Sequence, residues 1–175
     1  QKFADQLGWP LISEDPLSLK GSIAHASLFL ASTTIAKDFT PRTVIVIGRT
    51  TLSRSINNYI ASADKQIVID SRIATVDTDR NADKRFTQIP ILESNEANSE
   101  WLEKWQKFSE RCTKELEKIT QWSEPVLART LAANIKNGTT LFVSSSRPVR
   151  DIEAFATART GVETFANRGL AGIDG

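Results

Sequence analysis

The run Thr43-Val44-Ile45-Val46-Ile47 leaves the chain few choices of fold. Every residue in it is β-branched, and no polar residue alternates with the apolar ones. Such a run reads as a strand covered on both faces, as in a parallel sheet sandwiched by helices. Gly48 ends it. Leu52, Ile56, Tyr59 and Ile60 then recur at the spacing of one helical face, and Gln66-Ile67-Val68-Ile69-Asp70 forms a second strand. Strand, helix and strand in that order make a right-handed βαβ unit. The expected class is therefore α/β, a Rossmann-like doubly wound parallel sheet with helices on both faces.

The flanks extend this pattern. Residues 1–7 read as a helix stopped by Gly8, and residues 9–12 as a short apolar strand. Residues 13–20 read as a loop, with Pro10 and Pro16 around it. A helix is expected from Gly21 through Ala31, with Ile23, Leu28 and Leu30 inward and His25 as a structural mid-helix histidine. Residues 71–84 are a polar loop, and residues 86–89 a short strand before Pro90. From about Ser99 the period changes: Trp101, Trp105, Phe108, Cys112, Leu116 and Ile119 recur every three or four residues, one stripe of a long helix. Ser123-Glu124-Pro125 opens another helix, with Val126, Leu127, Leu131 and Ile135, that ends at Asn137-Gly138. Leu141-Phe142-Val143 is a strand, and Ser144-Ser145-Ser146 turns it into a helix beginning Arg147-Pro148-Val149-Arg150. Ser145 or Ser146 is the expected N-cap and Gly161 the expected stop. A strand over residues 162–166 leads to Asn167-Arg168-Gly169-Leu170-Ala171-Gly172-Ile173-Asp174-Gly175, whose glycines imply tight turns or close backbone approach.

Composition removes several function classes. Twenty-two basic and 21 acidic residues leave a net charge of +1, no electrostatic footprint for nucleic acid. No run of 18 apolar residues exists, so membrane insertion is not expected. A single cysteine, Cys112, excludes an internal disulfide, and with the single His25 it argues against zinc and Cys/His catalysis. The cytoplasm is the expected compartment. With no Met and Gln1 first, the chain is expected to be a piece of a longer protein.

Two constellations could carry chemistry. Residues 48–54, Gly-Arg-Thr-Thr-Leu-Ser-Arg, follow a strand and start a helix, where ligands of doubly wound sheets bind and the helix dipole draws anions. Arg49 and Arg54 form a possible anion or effector site. The turn is neither a Walker A loop nor Gly-x-Gly-x-x-Gly, and a capped helix with solvated arginines accounts for it as well. The second constellation is Ser146 and Arg150 at the start of a helix, with Arg168 beyond the next strand; a cap and two surface arginines is its plain alternative. Asp77-Thr78-Asp79 begins like a calcium loop, but Ala82 stands where Gly is needed and Gln88 where Glu is needed, so calcium is rejected.

Asn167-Arg168-Gly169, Gly172-Ile173-Asp174-Gly175, Phe142-Val143, Ser146, Arg150 and the opening Leu7-Gly8-Trp9-Pro10-Leu11-Ile12 together resemble one family. It is the 2-succinyl-5-enolpyruvyl-6-hydroxy-3-cyclohexene-1-carboxylate synthases, thiamine-diphosphate enzymes of menaquinone biosynthesis. The resemblance spans nearly the whole chain but only the middle of such an enzyme. It implies a central Rossmann-like domain over residues 1–93, a connecting helix over 94–122, and the beginning of the cofactor domain over 123–175. It further implies a transferase that decarboxylates 2-oxoglutarate and adds the succinyl semialdehyde unit to isochorismate. In it Arg54, Ser146, Arg150 and Arg168 would contact substrate, and Ile173 the thiazolium side of the cofactor. Ser55 stands where the family can carry a second basic residue, and Ser144-Ser145 where it often has a glycine and a small or polar residue.

Thiamine diphosphate with Mg2+ or Mn2+ is expected in the full-length enzyme, which would be a homodimer or homotetramer. The fragment is expected to bind neither and to be inactive, since the activating glutamate and the metal-binding segment are not identifiable in it. The alternatives are an anion-binding regulatory domain and a purely structural one.

Overall fold

A computed structural model describes residues 1–72, 81–91 and 99–166. In chain order the elements are α1 (Lys2–Leu7), α2 (Ala26–Phe29), α3 (Thr33–Asp38), β1 (Thr43–Ile47), α4 (Arg54–Ala61), β2 (Lys65–Ile69), β3 (Lys84–Phe86), α5 (Ser99–Glu117), α6 (Glu124–Asn134), β4 (Thr139–Val143), α7 (Arg147–Phe155) and β5 (Val162–Ala166). Among the described residues the strand pairings are parallel, in a three-stranded sheet of order β1-β2-β3 and a two-stranded sheet β4-β5. These are parallel sheets flanked by helices, the α/β class. The chain divides into two compact units, Gln1–Ala26 with Glu96–Gly175, and Ser27–Asn95. Among the described residues no helix is long and apolar enough to cross a membrane.

In the second unit β1 and β2 run in register from Thr43 opposite Lys65 to Ile47 opposite Ile69. The β-branched residues force this extended backbone, and the connecting α4 turns inward with Ile56 and Tyr59. They share the buried set with Phe29, Phe39, Val68 and Ile69, and the Phe29 and Phe39 rings stand 5.6 Å apart. Ser53 caps α4 by accepting the Ile56 N–H.

The first unit has its own core. Leu17, Ala128, Ala132, Val143, Ile152, Ala156 and Val162 form one buried cluster, which joins β4-β5 to α6 and α7. Arginines finish two of its helices. Arg129 donates to the carbonyls of Leu116 and, at 2.9 Å, Ile119 at the end of α5. Arg159 donates to Ala132 and Ile135 at 2.9 and 3.1 Å at the end of α6. Each adds donors to carbonyls at a helix end, the Leu116 carbonyl also accepting the Ile119 N–H at 3.1 Å.

Several sequence expectations are corrected here. Residues 9–12 form no strand, because their hydrogen bonding goes to a turn, with Leu11 accepting the Ile23 N–H at 2.7 Å. The helix expected over 21–31 is only α2, since His25 has φ 63° and breaks it; His25 is therefore not mid-helix. β3 lies at Lys84–Phe86 rather than 86–89. On α6 the buried residues are Val126, Ala128 and Ala132, while Leu127 and Leu131 face outward. Helix α7 ends at Phe155, not near Gly161. Gly161 instead turns the chain into β5 at φ 96°, where a Cβ would come within 2.7 Å of the Asn137 side chain. The long helix is present as α5, with Trp105 fully buried and Trp101 in an edge contact at 6.1 Å; Ile119 lies past its end and is exposed.

Candidate functional site

The two candidate sites are strand tips. Because β1 and β2 are parallel and in register, the chain leaves both at one edge of the sheet. Gly48 takes φ 82° there and donates its N–H to Ile69 at 2.9 Å, so the next residue, Arg49, leaves the ladder beside Asp70. A Cβ on Gly48 would meet nothing within 4 Å, so the backbone angle rather than space calls for glycine. The turn is built from its own side chains: Thr51 Oγ1 accepts the Ser53 N–H at 2.7 Å, and the Asn57 amide donates to the Thr51 carbonyl at 3.0 Å. Ser55 donates to the Ser27 carbonyl at 2.6 Å and shares a hydrogen bond with Ser53. Its hydroxyl is thus part of the frame.

Arg49 and Arg54 are both exposed. Arg54 is the first residue of α4, whose first turn holds no acid. A cation at the positive end of a helix dipole is unfavourable, and an anion bound there relieves the conflict. The sequence reading missed a third guanidinium. The Asp70 carboxylate accepts both the backbone N–H and the Nε–H of Arg72 at 2.8 Å, and Arg72 Nη2 completes the pair. The signal was an Asp ending an apolar strand with Arg two residues on, the pattern of an Asx turn. The edge therefore carries Arg72 and Arg49 beside the Asp70 carboxylate, with Arg54 at the start of α4.

The hydrogen bonds from the Arg72 side chain, then its backbone N–H, hold the Asp70 pKa at about 2, with Arg49 adding a smaller pull. A depressed carboxylate favours the fold above its ordinary value, and that contribution is lost as pH falls toward the folded value. Asp70→Asn is therefore expected to be less stable than the parent at neutral pH. The deficit should shrink between about pH 4 and about pH 2, read by urea unfolding. A deficit constant over that window would contradict the pairing.

The first unit holds the second tip. β4 and β5 are parallel, and their last residues, Val143 and Ala166, lie opposite each other. From Val143 the chain passes through Ser144 and Ser145 to Ser146, which sits at φ 73° and ψ −118° before α7. Ser146 is the N-cap by position, but its side chain makes no cap hydrogen bond, contrary to the sequence expectation. Ser146 is exposed, and its positive φ is rare for a residue other than glycine. Arg147 is paired with Asp151 at 3.3 Å. Arg150, one turn along, is exposed, and no ion pair among the described residues engages it or Arg54. Like α4, α7 has no acid in its first turn.

A non-glycine residue in such a conformation carries strain of about 1–3 kcal/mol. Ser146→Gly is therefore expected to raise the unfolding free energy by about 1 kcal/mol. A chemical denaturation curve checks this; a variant no more stable than the parent would contradict it.

Arg49 and Arg54 thus belong to one unit, and Ser146 and Arg150 to the other. Arg168 and Ile173 lie outside the described residues, as do residues 77–80 of the calcium-like segment. Among the described residues no group of three His, Cys, Asp or Glu side chains could hold a metal ion.

Along 97% of its length the chain is 29% identical to a 2-succinyl-5-enolpyruvyl-6-hydroxy-3-cyclohexene-1-carboxylate synthase of Thermobifida fusca, covering 32% of that protein. It is 30% identical to the synthase of the same name from Lysinibacillus sphaericus over 99% of the chain and 34% of the relative. The Saccharopolyspora erythraea synthase is 26% identical over 99% of the chain and 32% of the relative. The chain spans about a third of the length of these curated relatives. A family model described as the middle domain of thiamine pyrophosphate matches residues 1–143, most of the chain, and the chain belongs to this thiamine pyrophosphate middle-domain family.

Proposed function

We propose that the chain is the central part of a thiamine-diphosphate enzyme, a 2-succinyl-5-enolpyruvyl-6-hydroxy-3-cyclohexene-1-carboxylate synthase. It comprises a middle domain over residues 1–93, a connecting helix over 94–122 and the start of the cofactor domain over 123–175. The observation that carries this is the pair of cationic strand tips, each with an exposed arginine in the first turn of a helix that has no acid there. Similarity to the synthases along the whole chain supports it. The substrates would be 2-oxoglutarate and isochorismate, each a dicarboxylic acid, and the reaction a decarboxylation followed by transfer of the succinyl semialdehyde unit.

In this reading Arg54, Arg150 and Arg168 hold carboxylates, for which the guanidinium offers a planar fork of donors. The exposed Ser146 hydroxyl hydrogen-bonds substrate. The cofactor supplies a carbanion equivalent when bound, with Mg2+ or Mn2+ on its diphosphate. In this reading the cofactor and its metal would be held by segments elsewhere in the parent, while this chain binds and orients the acids. Ile173 is its one cofactor contact, and the chain alone makes no product. The parent is a cytoplasmic homodimer or homotetramer.

The test is carbon dioxide release and isochorismate consumption by the full-length protein, beside its Arg54→Ala, Arg150→Ala and Arg168→Ala variants. Turnover that requires both acids, with Michaelis constants raised in the variants, is the expected result. An intact protein that consumes neither acid, or variants with unchanged kinetics, would overturn the reading.

The Asp70–Arg72 pair beside Arg49 favours a second role, an anionic effector bound at the tip of β1 and β2. Titrating the full-length protein with acidic products of the reaction distinguishes it: saturable binding lost in Arg49→Ala supports the role, and no saturable binding removes it.

A further inference from the structure

His25 is the chain's one histidine, and the substrate contacts proposed above leave it unused. Its ring is 1% exposed, and its backbone takes φ 63°, an angle few non-glycine residues adopt. Nδ1 lies 2.8 Å from the carbonyl of Ala154, and Nε2 lies 3.1 Å from Thr113 Oγ1. A carbonyl can only accept, so Nδ1 carries the hydrogen. In the neutral ring Nε2 is then an acceptor facing the Thr113 hydroxyl, whose one hydrogen is shared between Nε2 and the Ser109 carbonyl, each 3.1 Å away. Burial pushes the imidazole pKa below its ordinary value, and Arg129 pushes the same way, against the raising effect of the Ala154 bond. The neutral ring with the Nδ1 hydrogen is the form these surroundings favour.

Ala154 sits in the last turn of α7, one helical turn beyond Arg150. The Ala154 carbonyl is among those that a helix end leaves without an internal partner. The other end of the imidazole is fixed on α5 through Thr113, and Ser109 donates to the Ala24 carbonyl at 2.9 Å beside it. The ring therefore ties a nine-residue helix to the nineteen-residue helix α5. Residues 24–26 are buried as well, so the ring has little room to shift.

We propose that His25 is a positioning residue for the Ser146–Arg150 turn, fixing α7 through the Nδ1–H bond to Ala154 so that the Arg150 guanidinium meets its carboxylate in register. This rests on the reading of Ser146 and Arg150 given above. It explains why a histidine occupies a left-handed position where only the ring's two nitrogens, set on opposite sides, reach α7 and α5 together.

The test compares His25→Asn with His25→Gln in the full-length protein, beside Arg150→Ala. Asparagine tolerates the positive φ and places an amide donor near the Nδ1 position; glutamine is closer to histidine in volume but reaches toward the Nε2 position. If positioning through Nδ1 is the role, His25→Asn keeps the Michaelis constant for the carboxylate substrate within about twofold. His25→Gln should raise it about tenfold or more, as small misplacements of a binding group do, at a temperature where both variants are folded and with kcat less affected. A role in packing alone would order the two variants by volume instead. Equal Michaelis constants for the two, whether both normal or both raised, would overturn the proposal while Arg150→Ala still shows its effect. No effect of Arg150→Ala would instead remove the reading of the site, and the proposal with it.

Discussion

Replacing Arg150 by alanine in the full-length protein is expected to raise the Michaelis constant for a carboxylate substrate about 10- to 100-fold, with the melting temperature unchanged. A hydrogen bond to a charged group is worth about 1.5–3 kcal/mol, and each 1.4 kcal/mol is about tenfold. Arg150 is exposed and engages no ion pair among the described residues, so its removal breaks nothing in the fold. Its neighbour Arg147 is a built-in control. Arg147 is also exposed but already paired with Asp151 at 3.3 Å. Arg147→Ala should therefore change the kinetics little, since an exposed ion pair one turn long is worth under about 1 kcal/mol. Steady-state kinetics on the two variants side by side check both halves. Equal effects at 147 and 150 would mean that the site responds to general positive charge rather than to one placed guanidinium.

Trp105→Ala should have the largest effect on stability. Trp105 is fully buried in the middle of α5, the one residue of that helix so enclosed, and it stands edge-on to Trp101 at 6.1 Å. Truncating a buried aromatic leaves a cavity and costs about 3–5 kcal/mol. A domain has only about 5–15 kcal/mol in total. The first unit should thus lose much of its stability, and with it the surface of α5 on which Thr113 and Ser109 hold His25 and the Ala24 carbonyl. Urea unfolding measures the loss. Trp122→Ala, at a tryptophan 71% exposed, should change stability far less. A loss under about 1 kcal/mol at Trp105 would mean that α5 is not anchored by this side chain.

The sequence foretold those parts of the fold that chemistry enforces locally. The β-branched run of β1, the period of α5 and the strand β5 over 162–166 read directly, because each pattern suits one backbone conformation. Residues 9–12 did not, since an apolar stretch becomes a strand only when a neighbouring edge accepts it; here Leu11 is used by the turn at Ile23. The short helix α3 went unread, as a six-residue helix carries less than two full turns of pattern. On α6 the sequence offered apolar residues on both sides, and only tertiary packing chose Ala128 and Ala132 over Leu127 and Leu131.

The candidate site was legible in its charges and not in its geometry. Arg49, Arg54, Ser146 and Arg150 stand out in the sequence by their position after strands, and all four are exposed in the structure. Nothing in a serine announces φ 73°, so the sequence leaves Ser145 or Ser146 as the expected cap. Arg72 was passed over because its value comes from Asp70, which fixes it through the backbone and the guanidinium together. From sequence alone His25 is a structural mid-helix histidine. Its role as a tie between α5 and α7 comes from Thr113 and Ala154, 88 and 129 residues away in sequence.

The most direct measurement is the preference of the full-length protein for 2-oxoglutarate over 2-oxobutanoate, its analogue lacking the distal carboxylate, in wild type and in the Arg54→Ala, Arg150→Ala and Arg168→Ala variants. If placed guanidiniums hold the second carboxylate, the wild type should favour the diacid in kcat/KM by about 10-fold or more, and at least one variant should lose most of that preference while keeping its rate on the monoacid. A preference that survives all three substitutions would contradict the claim that these arginines recognise the acid.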